Sequence, residues 1–276
     1  ALHSRYAFRR HFYQHAGFRY VASEKPVKKE FDVYETDALV AQYCEFHYGE
    51  PCLGVPNFPQ TIARMALEAT EGGPRGRALD IGCSVGRAAF ELAEAFDQVD
   101  ALDFSARFVQ VGVRMQRAGR IRYERIEEGE RVSFQERTLE ELGLVGDYAN
   151  IDFLQQDATN LKPQFANYDL VVAANLIDRL NDPARFLRDL PGRIRSGGIL
   201  LVASPYTWPE EFTPKEKWLG GFKRDGEPVT TLDGLHAELD DCFSLRGGPV
   251  KVPFVIRETA NKHQYTFSEV TLWQRK

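Results

Sequence analysis

The stretch RALDIGCSVGRAAFEL, residues 77–92, decides the fold. An apolar run ends at Asp80, Gly82 and Gly86 follow, and a helical pattern then resumes. Glycine has no Cβ and takes positive φ freely, so such a turn at the end of a buried strand lets backbone pass close to a nucleotide. There are two glycines here rather than three, which keeps a purely structural strand-to-helix turn as the other reading.

Outward from this turn, strands and helices alternate. Apolar runs at 78–81, 99–102, 151–155, 168–174 and 199–203 predict strands, and 86–96, 106–117 and 183–195 predict helices. Asp182 and Pro183 suit the start of the last helix, as cap and first-turn proline. This alternation predicts an α/β, doubly wound, mostly parallel sheet. Residues 119–143 are charged and predict a hairpin or helical insertion on the surface. Near the end, VPFVIRE (252–258) and QYTFSEVTLW (264–273) are β-rich and joined by a loop too short for a crossover helix, so they pair antiparallel. Upstream, Thr36 caps a helix carrying Leu39, Val40, Tyr43 and Phe46, and the proline-broken GEPCLGVPNFPQ (49–60) reads as irregular. A second helix follows over 61–69.

Composition narrows the function classes. The chain has 276 residues, a formal charge of −5 and no long basic run, which argues against nucleic acid. It has no apolar stretch long enough for a membrane span. Its four cysteines lack C-x-x-C spacing and read as free thiols of a reducing, cytoplasmic compartment. His11 and His15 have i, i+4 spacing but no nearby third ligand, so no metal site is expected.

Polar residues recur at predicted strand C-termini. Asp103 in ALDFS ends the second strand, Asp157 in QQDAT the third, and Asn175 in VVAANLIDRL the fourth. Each alone is an ordinary cap or turn residue. Together with Asp80 they mark the sheet edge where open α/β folds bind ligands. Five parallel strands closed by an antiparallel hairpin, a seven-stranded sheet, resemble the class I S-adenosylmethionine-dependent methyltransferases over residues 75–276. A nicotinamide-binding domain would continue strand–helix–strand. The resemblance implies S-adenosyl-L-methionine as cofactor and S-adenosyl-L-homocysteine as product. Gly82 and Gly86 would pass close to its amino-acid part, with Ser84 between them. Asp80 would orient that loop or reach the ammonium through water. Asp103, with Phe104, would hold the ribose, and Asp157, with Ala158, the adenine; Asn175 would stand beside the reacting centre.

Four further segments carry a closer resemblance: EFHYGEPCLGVPNFP (45–59), AANLIDRLNDPARFL (173–187), ASPYTWPEEFTPKEKWLGGFKRDGEPVTTLDGL (203–235) and VPFVIRETANKHQYTFSEVT (252–271). They are similar to the 4-mercaptohistidine N1-methyltransferases of ovothiol biosynthesis, which often follow an iron-dependent 5-histidylcysteine sulfoxide synthase in one chain. The head SRYAFRRHFYQHAGFRYV (4–21) is similar to the end of that synthase. The resemblance implies three parts: a tail at 1–30, a helical substrate-side cap at 31–74, and the methyltransferase domain at 75–276. It also implies an upstream synthase domain as partner and a small-molecule substrate, 4-mercaptohistidine. Another small amine or imidazole as methyl acceptor, or a non-catalytic cofactor-binding module, are the alternatives.

Several residues are candidates to hold the substrate or act in the reaction, each with a plainer role beside it. Asn57 and Phe58 form a lid or a packed loop; Tyr48 and His47 touch substrate or pack the first helix. Asn175 faces the reacting centre or makes a turn. Asp178 takes the substrate ammonium or caps the next helix. Arg179 pairs with the substrate carboxylate or lies solvated. Tyr206 reaches the site or packs the core, and Trp218 covers the site on a flap hinged at the following glycines. Arg257 and His263 flank the terminal hairpin, as thiolate or carboxylate donors or as strand and loop residues.

Overall fold

The computed structural model describes residues 32–276. The expectation of a tail at 1–30 lies outside them, as do His3, His11 and His15.

Two helices come first. α1 (Asp37–Tyr48) starts where expected, with the Thr36 hydroxyl accepting from Leu39 N. α2 (Phe58–Ala69) begins three residues earlier than its apolar pattern suggests. Asn57 caps it, accepting from Gln60 N, and Pro59 sits in its first turn, where a missing N–H does no harm.

The sheet follows: β1 (Arg77–Ile81), α3 (Arg87–Ala93), β2 (Gln98–Asp103), α4 (Ala106–Ala118), then the surface hairpin β3 (Arg120–Glu128) and β4 (Arg131–Thr138). β5 (Ile151–Gln155), β6 (Tyr168–Ala174), α5 (Pro183–Asp189) and β7 (Ile194–Ser204) complete its parallel part. α5 stops well short of the expected residue 195, because Pro191 lacks the N–H that a continuing helix needs. After a small hairpin, β8 (Phe222–Arg224) with β9 (Glu227–Val229), come α6 (Thr231–Leu239), β10 (Phe243–Leu245), β11 (Val250–Arg257) and β12 (His263–Arg275).

Strands run in the order β5-β2-β1-β6-β7-β12-β10, with β11 also paired to β12. The sheet therefore has eight strands, not the expected seven. The sixth strand is broken, and its two pieces share one edge of the long β12. β11 and β12 pair antiparallel in register from Val250↔Val270 to Arg257↔His263, and β12 lies antiparallel on β7.

Alternate residues of each strand enter opposite cores. On β1, Ala78 joins the core beneath α1 to α4, and Leu79 and Ile81 join the one beneath α5 and α6. Chain order reverses on the two sides of β1, which opens a crevice at the C-terminal ends of β1 and β6.

Candidate active site

A cavity of about 280 Å³ occupies that crevice. Its floor is the glycine turn and the strand ends: Asp80, Gly82, Ser84, Asp103 and Asn175 all line it. Asp157, Ala158 and the half-exposed Phe104 line the part near β5. Its roof is the N-terminal segment, through Tyr34, Tyr43, Phe46, His47 and Phe58, with Phe254 and Ile256 of β11 beside them.

Backbone in the left-handed region gathers here. Gly82 has φ +77° and packs against Leu176, and Ser84 and Asn175 reach φ +52° and +53° without being glycine. Asp103 holds the turn together: one carboxylate oxygen accepts from Ser84 N and the other from Ser105 N, both at 2.8 Å. Burial pushes its carboxyl up to about 6 against these two bonds. Gly86 is absent from the cavity wall. Its φ is +98°, and a Cβ there would lie 2.6 Å from the Phe153 ring, so this glycine serves close packing of α3, β5 and α4.

The acids at the two ends of the strands contrast. At the N-terminal ends, Asp100 is bonded by Arg77 and Tyr168, and Asp169 by Gly76 N and Arg77 N. At the C-terminal end of β1, Asp80 is just as buried yet accepts no hydrogen bond among the described residues, and its Oδ2 is enclosed. Burial, then the Asp103 charge, lifts its carboxyl to about 7. A buried carboxylate left this way calls for a cationic or hydrogen-bonding ligand. The Ser84 hydroxyl beside it is also enclosed and unpaired.

A second buried acid stands across the cavity. The Asp178 side chain is fully buried; its Oδ2 accepts from Arg179 Nη1 (3.0 Å), Thr207 Oγ1 (2.6 Å) and Thr207 N (3.2 Å), while Oδ1 has no partner. Asp178 does not cap α5; Asp182 does, accepting from Arg185 N. Arg179 is not a solvated surface arginine: it bonds Asp178 and Thr207 through Nη1 and lies over the Phe212 ring. Asn175 Oδ1 accepts from the fully buried Ser268 hydroxyl at 2.5 Å.

Other expected site residues lie elsewhere. Asn57 is no lid: besides capping α2, its Nδ2 donates to the carbonyls of Phe46 and His47. Phe58 does reach the cavity, as a wall fixed between Phe46 and Phe254. Tyr48 turns away and donates to Val85 O at 2.5 Å, pinning α1 to the glycine turn. Tyr206 points to Glu269, 3.3 Å from its hydroxyl, and leaves Pro205 to line the cavity. Trp218 is no cover: its indole donates to Thr213 O and stacks on Trp208. The glycines after it are no hinge, because Gly220 lies so close to Thr230 that a Cβ would sit 2.2 Å from its carbonyl carbon. Arg257 donates to Ile126 O and Glu127 and ties β11 to the surface hairpin. His263 pairs in register opposite it and lines no part of the cavity.

The missed residues of the roof are Tyr34, Tyr43 and Phe46, while His47 and Phe58 do reach the cavity. Tyr43, Phe46 and His47 form one stripe on α1 at i, i+3, i+4, the spacing that also marks an ordinary core face. Among the described residues no group of side chains is suited to hold a metal, and no helix is long and apolar enough to cross a membrane.

Residues 79–200 match the family model described as "Methyltransferase domain". A curated relative, malonyl-[acyl-carrier protein] O-methyltransferase of Halalkalibacterium halodurans, is 26% identical over 179 residues. That match takes in 58% of this chain and 55% of the relative, so the chain spans about half the length of the curated relative it matches. Among solved structures, the N-methyltransferase NodS of Bradyrhizobium japonicum with bound S-adenosyl-L-homocysteine superposes with a TM-score of 0.54 at 12% identity, covering 90% of this chain and 99% of that one. Magnesium protoporphyrin IX methyltransferase of Synechocystis with bound S-adenosylmethionine gives 0.54 at 15% identity, covering 92% of this chain and all of that one. At such identities these two establish the fold. The fold is that of the class I methyltransferases, residues 79–200 resemble a methyltransferase domain, and the two superposed proteins hold S-adenosyl-L-homocysteine and S-adenosylmethionine. The unpartnered Asp80 carboxylate and Ser84 hydroxyl, beside a glycine turn at close approach, suit the amino-acid end of that molecule.

Proposed function

We propose that this chain transfers a methyl group from S-adenosylmethionine to the imidazole N1 of 4-mercaptohistidine, the last step of ovothiol A formation. The observation that carries this reading is the buried Asp178 with one uncommitted oxygen, paired to Arg179 in a cavity roofed by aromatic rings. A carboxylate and a guanidinium side by side suit the ammonium and carboxylate of a small amino acid. The aromatic roof suits its ring. The four resembling segments narrow that amino acid to 4-mercaptohistidine, and two of them supply Phe58, Asp178 and Arg179.

The bound cofactor supplies an electrophilic methyl group. The protein's task is position. A neutral imidazole nitrogen is already nucleophilic, so no strong base is needed. Asp178 and Arg179 would anchor the amino-acid end, while Tyr34, Tyr43 and Phe46 hold the ring and exclude water. Asn175, its Oδ1 occupied by Ser268, would offer its amide N–H groups toward the reacting centre.

The test is mass spectrometry of a reaction with synthetic 4-mercaptohistidine and S-adenosylmethionine, with the product fragmented to locate the methyl group. We expect it on N1. Methyl on sulfur, or equal turnover of histidine, would overturn the assignment.

A further inference from the structure

His47 lines the cavity, is 6% exposed, and its imidazole makes no hydrogen bond among the described residues. Its Nδ1 is enclosed without a partner, and Nε2 bonds to nothing among the described residues. Leaving a ring nitrogen buried and unpaired is unfavourable, and the rest of α1 near it is firmly fixed. Asn57 holds the His47 carbonyl, and the next residue, Tyr48, is bonded to Val85 within the glycine turn. The end of α1 that carries His47 is therefore tied to the glycine turn. The charged group acting on His47 is Arg87, the first residue of α3. Arg87 is committed to Glu91, through Nε at 2.7 Å and Nη2 at 2.6 Å, and is absent from the cavity wall. Burial, helped by Arg87, lowers the imidazole to about 3, so the ring is neutral and carries one N–H.

Two buried, unpartnered groups thus line the same cavity, and the helix that carries one is tied to the turn that follows the other. Asp80 is an acceptor with nothing to accept. His47 is a donor with nothing to donate to. The amino-acid end of S-adenosylmethionine carries an ammonium and a carboxylate on one carbon. We infer that His47 is a cofactor-binding residue that donates its ring N–H to the carboxylate of S-adenosylmethionine, opposite Asp80, which takes the ammonium. The inference rests on the cofactor reading but not on 4-mercaptohistidine as substrate.

The experiment is calorimetry on wild type, His47→Phe and His47→Gln, each titrated with S-adenosylmethionine and with decarboxylated S-adenosylmethionine, which keeps the ammonium and lacks the carboxylate. Wild type should prefer S-adenosylmethionine by roughly tenfold or more, as for a hydrogen bond to a charged group. His47→Phe should lose that preference by weakening S-adenosylmethionine alone, and His47→Gln, which retains a donor, should restore part of it. Equal weakening of both ligands in both variants would make His47 structural and overturn the inference. So would unchanged S-adenosylmethionine affinity with a raised KM for the methyl acceptor, which would move His47 to the substrate. A wild type that binds neither ligand would refute the cofactor reading itself.

Discussion

Asp80→Asn should make the cofactor-free protein gain stability, relative to wild type, as pH rises, while weakening its hold on S-adenosylmethionine. Asp80 is 3% exposed and accepts no hydrogen bond among the described residues. Burial first, and the Asp103 charge second, raise its carboxyl from 3.8 to about 7. The unfolded chain releases this proton near 3.8 and the folded chain near 7, so folding takes up a proton between the two. The contribution of Asp80 is complete below 3.8 and is lost as pH rises through about 7. A displacement of about three pH units is worth roughly 4 kcal/mol. Asparagine has the same shape and does not titrate. Its own unsatisfied amide costs about 1–3 kcal/mol at every pH and leaves the slope untouched. Urea unfolding of both proteins from pH 4 to pH 8 isolates the difference. Wild type should lose about 4 kcal/mol relative to the variant across that range. Cofactor binding should reverse the effect, because an ammonium against the carboxylate releases its proton. Wild-type affinity should therefore climb from pH 6 to pH 8 with measurable proton release, and the variant should show neither. Parallel unfolding curves would refute the claim that Asp80 is a buried, unpaired acid awaiting a cation.

Asp103→Ala should weaken S-adenosylmethionine binding by roughly 2–3 kcal/mol, since the carboxylate proposed for the ribose also fixes Ser84 N and Ser105 N; unchanged affinity by calorimetry removes it from the site. Gly86→Ala should destabilise the fold by roughly 2–4 kcal/mol in thermal or urea unfolding, because φ is +98° and the new Cβ would meet the Phe153 ring. Asp178→Asn should raise the KM for the proposed amino-acid substrate at least tenfold with little change in cofactor affinity; an equal loss of both would place Asp178 in the general scaffold.

The fold was legible because two periodicities and one turn agree. The buried runs at β1, β2, β5, β6 and β7 lie within a residue or two of their expected ends, except that β7 begins five residues early. The terminal hairpin follows from loop length alone. The broken sixth strand was not legible, since β10 is three residues long and no pattern marks so short a piece. At the site, the strand-end acids were readable because an open α/β sheet places strand C-termini on one edge whatever the side chains do. Gly86 was misread because close backbone approach to a ligand and close approach to Phe153 need the same residue.

The substrate side resisted reading for a different reason. Tyr206, Trp218, Arg257 and His263 all follow or flank strands at the productive end of the sheet, so proximity along the chain favoured them. What removes them is the partner each finds first: Glu269, Thr213, Glu127 and a strand register respectively. A polar side chain near a site contributes to binding through the hydrogen-bonding capacity that the protein leaves unused. Four enclosed groups of the cavity keep such capacity among the described residues: Asp80, Ser84, His47 and Asp178. Asp80 and Ser84 lie at the glycine turn, His47 on the helix tied to it, and Asp178 stands alone with Arg179. Arg257 and His263 are excluded as donors for the thiolate, which leaves Arg179 for both the carboxylate and the sulfur of the proposed substrate. One guanidinium serves both only if the acceptor lies folded over it, and that pose turns the ring nitrogen away from Arg179 and into the cavity. Arg179→Lys tests this directly. A lysine keeps the charge but loses the planar fork, so methyl transfer should slow and part of the methyl should move from nitrogen to sulfur. A slower reaction with the methyl still wholly on N1 would mean that something other than Arg179 holds the sulfur.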